Sequence, residues 1–248
     1  MKKILTIWDI DGNLVNISKY QALADQKAIE KVFREKPSLQ EIEENFGKPS
    51  KEVLAIPIRK YGISEKDIQE NMDKMLKFQA NRLVEEIKNA DKSEVLLPGV
   101  LELLEKLREL GIPMGIVTGN IEEAGKSIIE TLNLSYYFNK NINSYGDNVN
   151  QRHEIVSRAI RKAREEGLID KNSKVYVFGD TSNDIVAAKR NNCISVAVIK
   201  NSNNKESSRG GKIYNARKRL LKKSKPDFLI DDYTDYKKII SILNINQE

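Results

Sequence analysis

The sequence predicts an α/β fold: a three-layer sandwich about a parallel sheet, with a block of helices inserted after the first strand. Three observations carry this reading. Short β-branched apolar runs alternate with longer amphipathic stretches, the pattern of parallel strands joined through crossover helices. Each of the first runs closes on a polar or glycine-bearing turn: Asp9-Ile10-Asp11-Gly12, Thr118-Gly119-Asn120 and Gly179-Asp180-Thr181. Residues 16–95, by contrast, hold long helical patterns and no convincing strand.

Taken in order, the strands expected are Ile4–Trp8, Met114–Thr118, Val175–Gly179, Ser195–Ile199 and Asp227–Ile230, with a weaker one near Phe138–Ile142. Helices are expected between them at Val100–Leu110, Glu122–Leu132, His153–Glu166 and Asp184–Arg190. Within the insertion, Ser18–Arg34 and Glu65–Lys88 read as long helices, the second with Leu76, Leu83 and Ile87 at helical spacing. Pro37, Gly47-Lys48-Pro49 and Gly62 divide the segment into about four helices. Leu97-Pro98-Gly99 marks the return to the α/β body. The expected division is therefore 1–15 with 96–248 as the body, 16–95 as the helical insertion, and 201–225 as a basic insertion within the body.

The 248 residues carry a formal net charge of +6, but that charge is local. Residues 205–225 contain nine Lys or Arg and one acid, a net of +8, which leaves the rest of the chain at −2. On charge grounds the body is not a nucleic-acid-binding surface. No apolar run approaches the roughly 18–20 residues that span a bilayer. The apolar start is interrupted by Asp9 and Asp11, so it reads as a buried strand rather than a leader. A single Cys193 excludes an intramolecular disulfide framework and fits a reducing cytoplasm.

Chemistry is expected where strands end, because ligands of open parallel sheets collect at the carboxyl ends of the strands. Alternation along an extended segment points Asp9 and Asp11 the same way, with Ile10 turned toward the core. Paired acids raise one another's pKa, which suits a nucleophile beside a general acid. The competing reading is an ordinary acidic turn closing a strand. Asp180 and Asp184, four residues apart after a second strand, suit a hard cation held through oxygen. Helix capping by Ser182 or Asn183 would explain much of the same composition. Thr118-Gly119-Asn120 offers a hydroxyl and free backbone N–H groups to a phosphoryl oxygen, though turn-plus-cap usage is commoner.

Together these segments resemble the ordered signatures of the haloacid dehalogenase superfamily: DxDG, a hydrophobic strand ending in Thr or Ser, then GDxxxD. The match spans Lys3 to about Arg190, and the helical insertion resembles the superfamily's C1 cap. The nearest likeness is to the phosphoglycolate phosphatase-like branch. The resemblance implies a Rossmann-like parallel sheet and a Mg²⁺-dependent phosphatase. In it, Asp9 is the nucleophile and forms an aspartyl phosphate, while Asp11 is the general acid and base. Metal ligands would come from Asp9, Asp11 through its backbone carbonyl, and Asp180, with Asp184 in support. Thr118, with Gly119 and Asn120, would bind the transferring phosphoryl group. The superfamily's neutralising cation falls on Arg152, where many members have Lys; Lys140 lies too far upstream and Arg158 is expected to face solvent. Phe46-Gly47-Lys48-Pro49 resembles a cap loop reaching toward substrate, which makes Lys48 a candidate substrate contact. The implied partner is a small phosphorylated metabolite such as phosphoglycolate.

Two alternatives stand beside this. A phosphomutase on the same scaffold usually relies on a histidine early in the cap, and Lys19-Tyr20-Gln21-Ala22 has none. The basic 205–225 segment could instead contact nucleic acid or an acidic partner through its cations. Only Tyr214 interleaves them, which gives little support for base stacking. His153, the only histidine, is expected at the surface or behind the site, and Trp8 in the core.

Overall fold

A computed structural model describes residues 3–46, 48–147, 149, 151–199 and 208–245, with backbone only for 93 and 208–213. Five strands form one parallel sheet: β1 (Ile4–Trp8), β2 (Met114–Ile116), β3 (Lys174–Gly179), β4 (Ile194–Val198) and β5 (Phe228–Ile230). Their order is β2-β1-β3-β4-β5. The chain leaves β1 for β2 on one side and returns to β3 on the other, so the sheet's switch point lies beside the end of β1.

Period-two alternation sends successive side chains of β1 and β3 into different layers. Leu5 and Ile7, with Val175 and Val177, pack under α8 (Arg152–Glu165) and α9 (Ser182–Arg190). Trp8, Tyr176 and Phe178 face the opposite layer, which includes α6 (Val100–Glu109), α7 (Glu122–Thr131) and α11 (Tyr236–Ile242). Trp8 is fully in the core, stacked on Phe178 at a centroid distance of 4.0 Å, with its indole N–H donating to Thr6 Oγ1. A three-layer α/β sandwich results.

Residues 18–95 form five helices: α1 (Ser18–Phe33), α2 (Leu39–Glu43), α3 (Ser50–Arg59), α4 (Glu65–Lys88) and the short α5 (Lys92–Val95). They bury a core of their own, in which Ala28 and Ile29 of α1 meet Leu54 and Ile58 of α3 and Met75 and Leu76 of α4. Local signals place their starts. Ser38 and Glu41 make a capping box at α2, and the Ser64 side chain accepts from the Asp67 N–H at α4.

The weak strand expected near Phe138–Ile142 does not form. Ser135–Tyr137 is a 3₁₀ turn, and the asparagines after it offer the backbone other partners. Asn139 Oδ1 accepts from Asn141 N–H, and Asn143 Oδ1 accepts from Ile116 N–H at the edge of β2. A bridge between Val117 and Ser144 is the remnant of pairing there. The strand expected to reach Thr118 ends at Ile116, beyond which Val117 and Thr118 keep only the isolated pairing with Ser144, Thr118 N–H donating to Ser144 O.

Within the basic insertion, residues 201–207 lie outside the described residues. The rest of it forms α10 (Ser208–Lys223), a packed helix rather than a solvated run. Its Tyr214 and Leu221 are buried against Ile185, Ala197 and Ile199. Tyr214 also donates to Asp231, which holds its ring inside. Replacing Leu221 with Ala should cost about 2–4 kcal/mol of local packing. Hydrogen–deuterium exchange should then show α10 amides exchanging faster, with β1 and β3 unchanged.

Candidate active site

The parallel register of β1 and β3, with Trp8 opposite Phe178, releases Asp9 and Asp180 side by side at the sheet's carboxyl edge. Asp9 N–H still donates to Phe178 O. Asp184 joins them from the first turn of α9. One carboxylate oxygen from each of Asp9, Asp180 and Asp184 lies within 4.8 Å of the other two, and all three residues are buried. Such an all-oxygen, acid-rich donor set suits a hard divalent cation.

Two glycines make this approach feasible. Gly12 has φ +77°, and a Cβ there would lie 2.0 Å from an Asp180 carboxylate oxygen. Gly179 would bring a Cβ to 2.4 Å from Asp184. The Asp9 loop is fixed from behind by Asn13, whose side-chain amide donates to Asp9 O at 2.9 Å and whose own oxygen accepts from buried Tyr233.

Asp184 also serves the helix. Thr181, not Ser182 or Asn183, is the N-cap, and Asp184 closes a capping box with it. The Oδ2 atom accepts from Thr181 Oγ1 at 2.7 Å, leaving Oδ1 to accept from Arg152 Nε at 2.9 Å. Capping and site chemistry thus use different oxygens of one carboxylate.

Arg152 opens α8 and reaches under the cluster. Its guanidinium pairs with Asp9 and Asp184 and donates to Val117 O, with its side chain only 10 % exposed. Burial alone would lower its pKa, but the carboxylates of Asp9 and Asp184 outweigh burial and raise it. Burial pushes the Asp9 carboxyl well above its ordinary range; Arg152 opposes this, while Asp184, Asp180 and Asp11 add to it. A divalent cation would act on Asp9 in the same sense as Arg152.

The remaining sequence candidates gather on the same edge. Thr118 is buried, its Oγ1 accepting from Asn120 N–H at 3.2 Å. Asn120 Nδ2 donates to Asp11 Oδ2 at 2.9 Å, orienting that acid. The cap lies against this loop: Ser50 N–H and Oγ both donate to Gly119 O at 3.2 Å, and Ser50 Oγ also donates to Asn120 Oδ1. Lys48 is at the surface with Nζ on Asn45 Oδ1, and its carbonyl sits 3.2 Å from where a Gly119 Cβ would stand. Gly47 lies outside the described residues. Lys48 and Ser50, with Asp9, Asp11, Thr118, Asn120 and Arg152, line a cleft of about 740 Å³ between cap and body.

Other expectations are corrected. Arg158 does not simply face solvent; it donates to Asp147 O at 3.3 Å and braces the loop after Ser144. Sequence reasoning also missed Arg217, counted only among the basic run, which pairs with Asp180 at 2.5 Å. The usable signal was helical spacing, since Tyr214, Arg217 and Leu221 share one face. Among the described residues, no helix is long and apolar enough to cross a membrane.

Residues 6–198 match the haloacid dehalogenase-like hydrolase family. The chain belongs to that family. It is 21% identical to the phosphoglycolate phosphatase of Vibrio parahaemolyticus over 96% of both chains. Solved structures of like fold include a phosphonoacetaldehyde hydrolase-like protein from Oleispira antarctica, with TM-score 0.75 and 18% identity over 98% of this chain and 93% of that one. A β-phosphoglucomutase from Clostridium difficile has TM-score 0.70 and 20% identity over 98% of both. For a haloacid dehalogenase-like hydrolase, this fold and aspartate cluster support a phosphatase activity.

One buried acid lies outside the cluster. Asp25 on α1 accepts from Gln21 Nε2 at 3.1 Å, and burial pushes its carboxyl up to about 8. An unfolded Asp ionises near 3.9, so between about pH 4 and pH 8 unfolding releases a proton from this site. Stability from Asp25 is therefore full below about pH 4 and is lost progressively as the pH rises toward 8. Asp25→Asn, a neutral isostere, should lose less Tm than wild type between pH 5 and pH 8 in thermal melts.

Proposed function

We propose that the chain is a Mg²⁺-dependent phosphatase of small phosphate monoesters, phosphoglycolate-like in substrate, that works through an aspartyl phosphate on Asp9. The observation that carries this reading is the convergence of Asp9, Asp180 and Asp184 within 4.8 Å, with Arg152 paired to two of them. Residues 16–95 act as the cap and 1–15 with 96–248 as the catalytic body.

Asp9, Asp180 and Asp184, with the Asp11 carbonyl, would hold the metal. Bound there, Mg²⁺ supplies charge neutralisation between carboxylate and phosphate dianion. Arg152, already beside the nucleophile, adds a fixed positive charge for the transferring phosphoryl oxygens. The Thr118 hydroxyl, itself held by the Asn120 N–H, and the Gly119 amide orient that group. In the first step Asp9 forms a bond to phosphorus as the ester P–O bond breaks, and Asp11 gives its proton to the departing oxygen. In the second, Asp11 takes a proton from water as the water oxygen attacks the aspartyl phosphate. Inorganic phosphate leaves and both carboxyl groups are restored. Asn120 holds Asp11 for both transfers. The Ser50 contacts make that arrangement depend on the cap being closed over the cleft.

Mutase chemistry draws no support from the cap, because the lone His153 pairs its ring with Arg190 and does not line the cleft.

With p-nitrophenyl phosphate and Mg²⁺, Asp9→Asn should lower kcat by about 10³-fold or more, and chelating the metal should do the same to wild type. Unchanged turnover in the variant would end the reading. Asn120→Ala should lower kcat about 10- to 100-fold by releasing the general acid, while Mg²⁺ affinity by calorimetry stays within about two-fold.

A further inference from the structure

The phosphatase reading uses Arg152 and leaves a second arginine at the same site. Arg217 comes from α10, the helix of the basic insertion, and its Nη2 donates to Asp180 Oδ2 at 2.5 Å. Its side chain is 29% exposed and lines the cleft that holds Asp9, Asp11, Thr118 and Arg152. Its backbone position is not accidental. Tyr214 three residues before it and Leu221 four after are buried in one apolar cluster, and Tyr214 donates to Asp231. The helix is thus docked on the face that turns Arg217 inward. Other cations of the insertion, including Arg219, Lys222 and Lys223, stand at exposed positions.

The guanidinium is permanently charged, and its planar fork of donors fits carboxylate or phosphate oxygens. Its present partner, Asp180, is one of the three acids suited to hold the metal. A divalent cation drawing on Asp180 competes with Arg217 for that carboxylate and repels the guanidinium. A cation half-buried in a cleft then needs another anion, and its cleft-lining neighbours on α10 are apolar: Leu220 and Leu221 form the same wall. In the phosphatase reading the transferring phosphoryl group goes to Arg152 and Thr118, beside Asp9, whereas Arg217 approaches the cleft through Asp180. That leaves Arg217 available to the part of the substrate beyond the scissile bond.

We propose that Arg217 is a specificity-determining residue that binds a second anionic group, carboxylate or phosphate, on the phosphomonoester. This rests on the phosphatase reading and names its substrate class. A substrate with a neutral remainder leaves the guanidinium short of a partner, and discrimination comes from that unpaired charge.

The test compares wild type, R217Q and R217K, in Mg²⁺, on phosphoglycolate (carboxylate arm), ethylene glycol bisphosphate (phosphate arm) and p-nitrophenyl phosphate (neutral remainder). Wild type should prefer at least one doubly anionic compound. R217Q should lose about ten-fold or more of that preference in kcat/KM, chiefly through KM, and R217K should recover part of it. Mg²⁺ titration by calorimetry should show R217Q binding the ion several-fold more tightly, a readout independent of turnover. Equal losses on all three compounds, or no wild-type preference for either anionic one, would overturn the inference while leaving the phosphatase reading intact. Mg²⁺ affinity unchanged in R217Q would remove the competition at Asp180 and overturn it likewise. A wild-type protein inactive on all three would sink the phosphatase reading first.

Discussion

Three carboxylates crowded at the end of two adjacent parallel strands are the constraint on which the rest of this molecule depends. Asp9, Asp180 and Asp184 repel one another, and burial makes that repulsion stronger than it would be in water. The structure tolerates the crowding because two arginines from different helices reach in. Arg152 of α8 pairs with Asp9 and Asp184, and Arg217 of α10 pairs with Asp180. The negative charge that remains suits the cluster to a divalent cation.

The surrounding architecture serves that convergence. The sheet order puts β1 between β2 and β3, so loops from all three strands meet at one edge. Gly12 and Gly179 remove the side chains that would keep the acids apart, since any Cβ at either position would lie within 2.4 Å of a partner carboxyl atom. Asn13 and Tyr233 lock the backbone beneath Asp9, and Tyr233 in turn packs on Trp8. The order of the hydrophobic core is thereby passed directly to Asp9.

The cap is joined to this edge through few but well-placed bonds. Ser50 reaches Gly119 and Asn120, and Asn120 holds Asp11. Such a chain of hydrogen bonds links the position of a helical domain to the orientation of one acid. A small polar residue at the start of α3 does this without adding charge to a site already crowded with it. The basic insertion contributes differently, through a helix whose apolar face is buried and whose inward-turned Arg217 pairs with Asp180 of the aspartate cluster.

Much of this was legible in the sequence. β-branched runs ending in Asp, Thr and Asp marked the strands and the polar ends that gather at the candidate site, because local alternation and turn chemistry depend on near neighbours alone. Asp9, Asp11, Thr118, Asp180 and Asp184 could be nominated on that basis, and the helical pattern of 16–95 set the insertion apart. What only the tertiary structure decided was which distant groups share an atom's partner. Phe138–Ile142 had strand-like composition, yet asparagine side chains took the backbone's partners. Arg217 was one of nine cations in its run until the packing of Tyr214 and Leu221 turned it toward Asp180. Ion pairs and hydrogen bonds between residues tens to hundreds of positions apart leave no local periodicity, so their partners emerge only when the chain is packed.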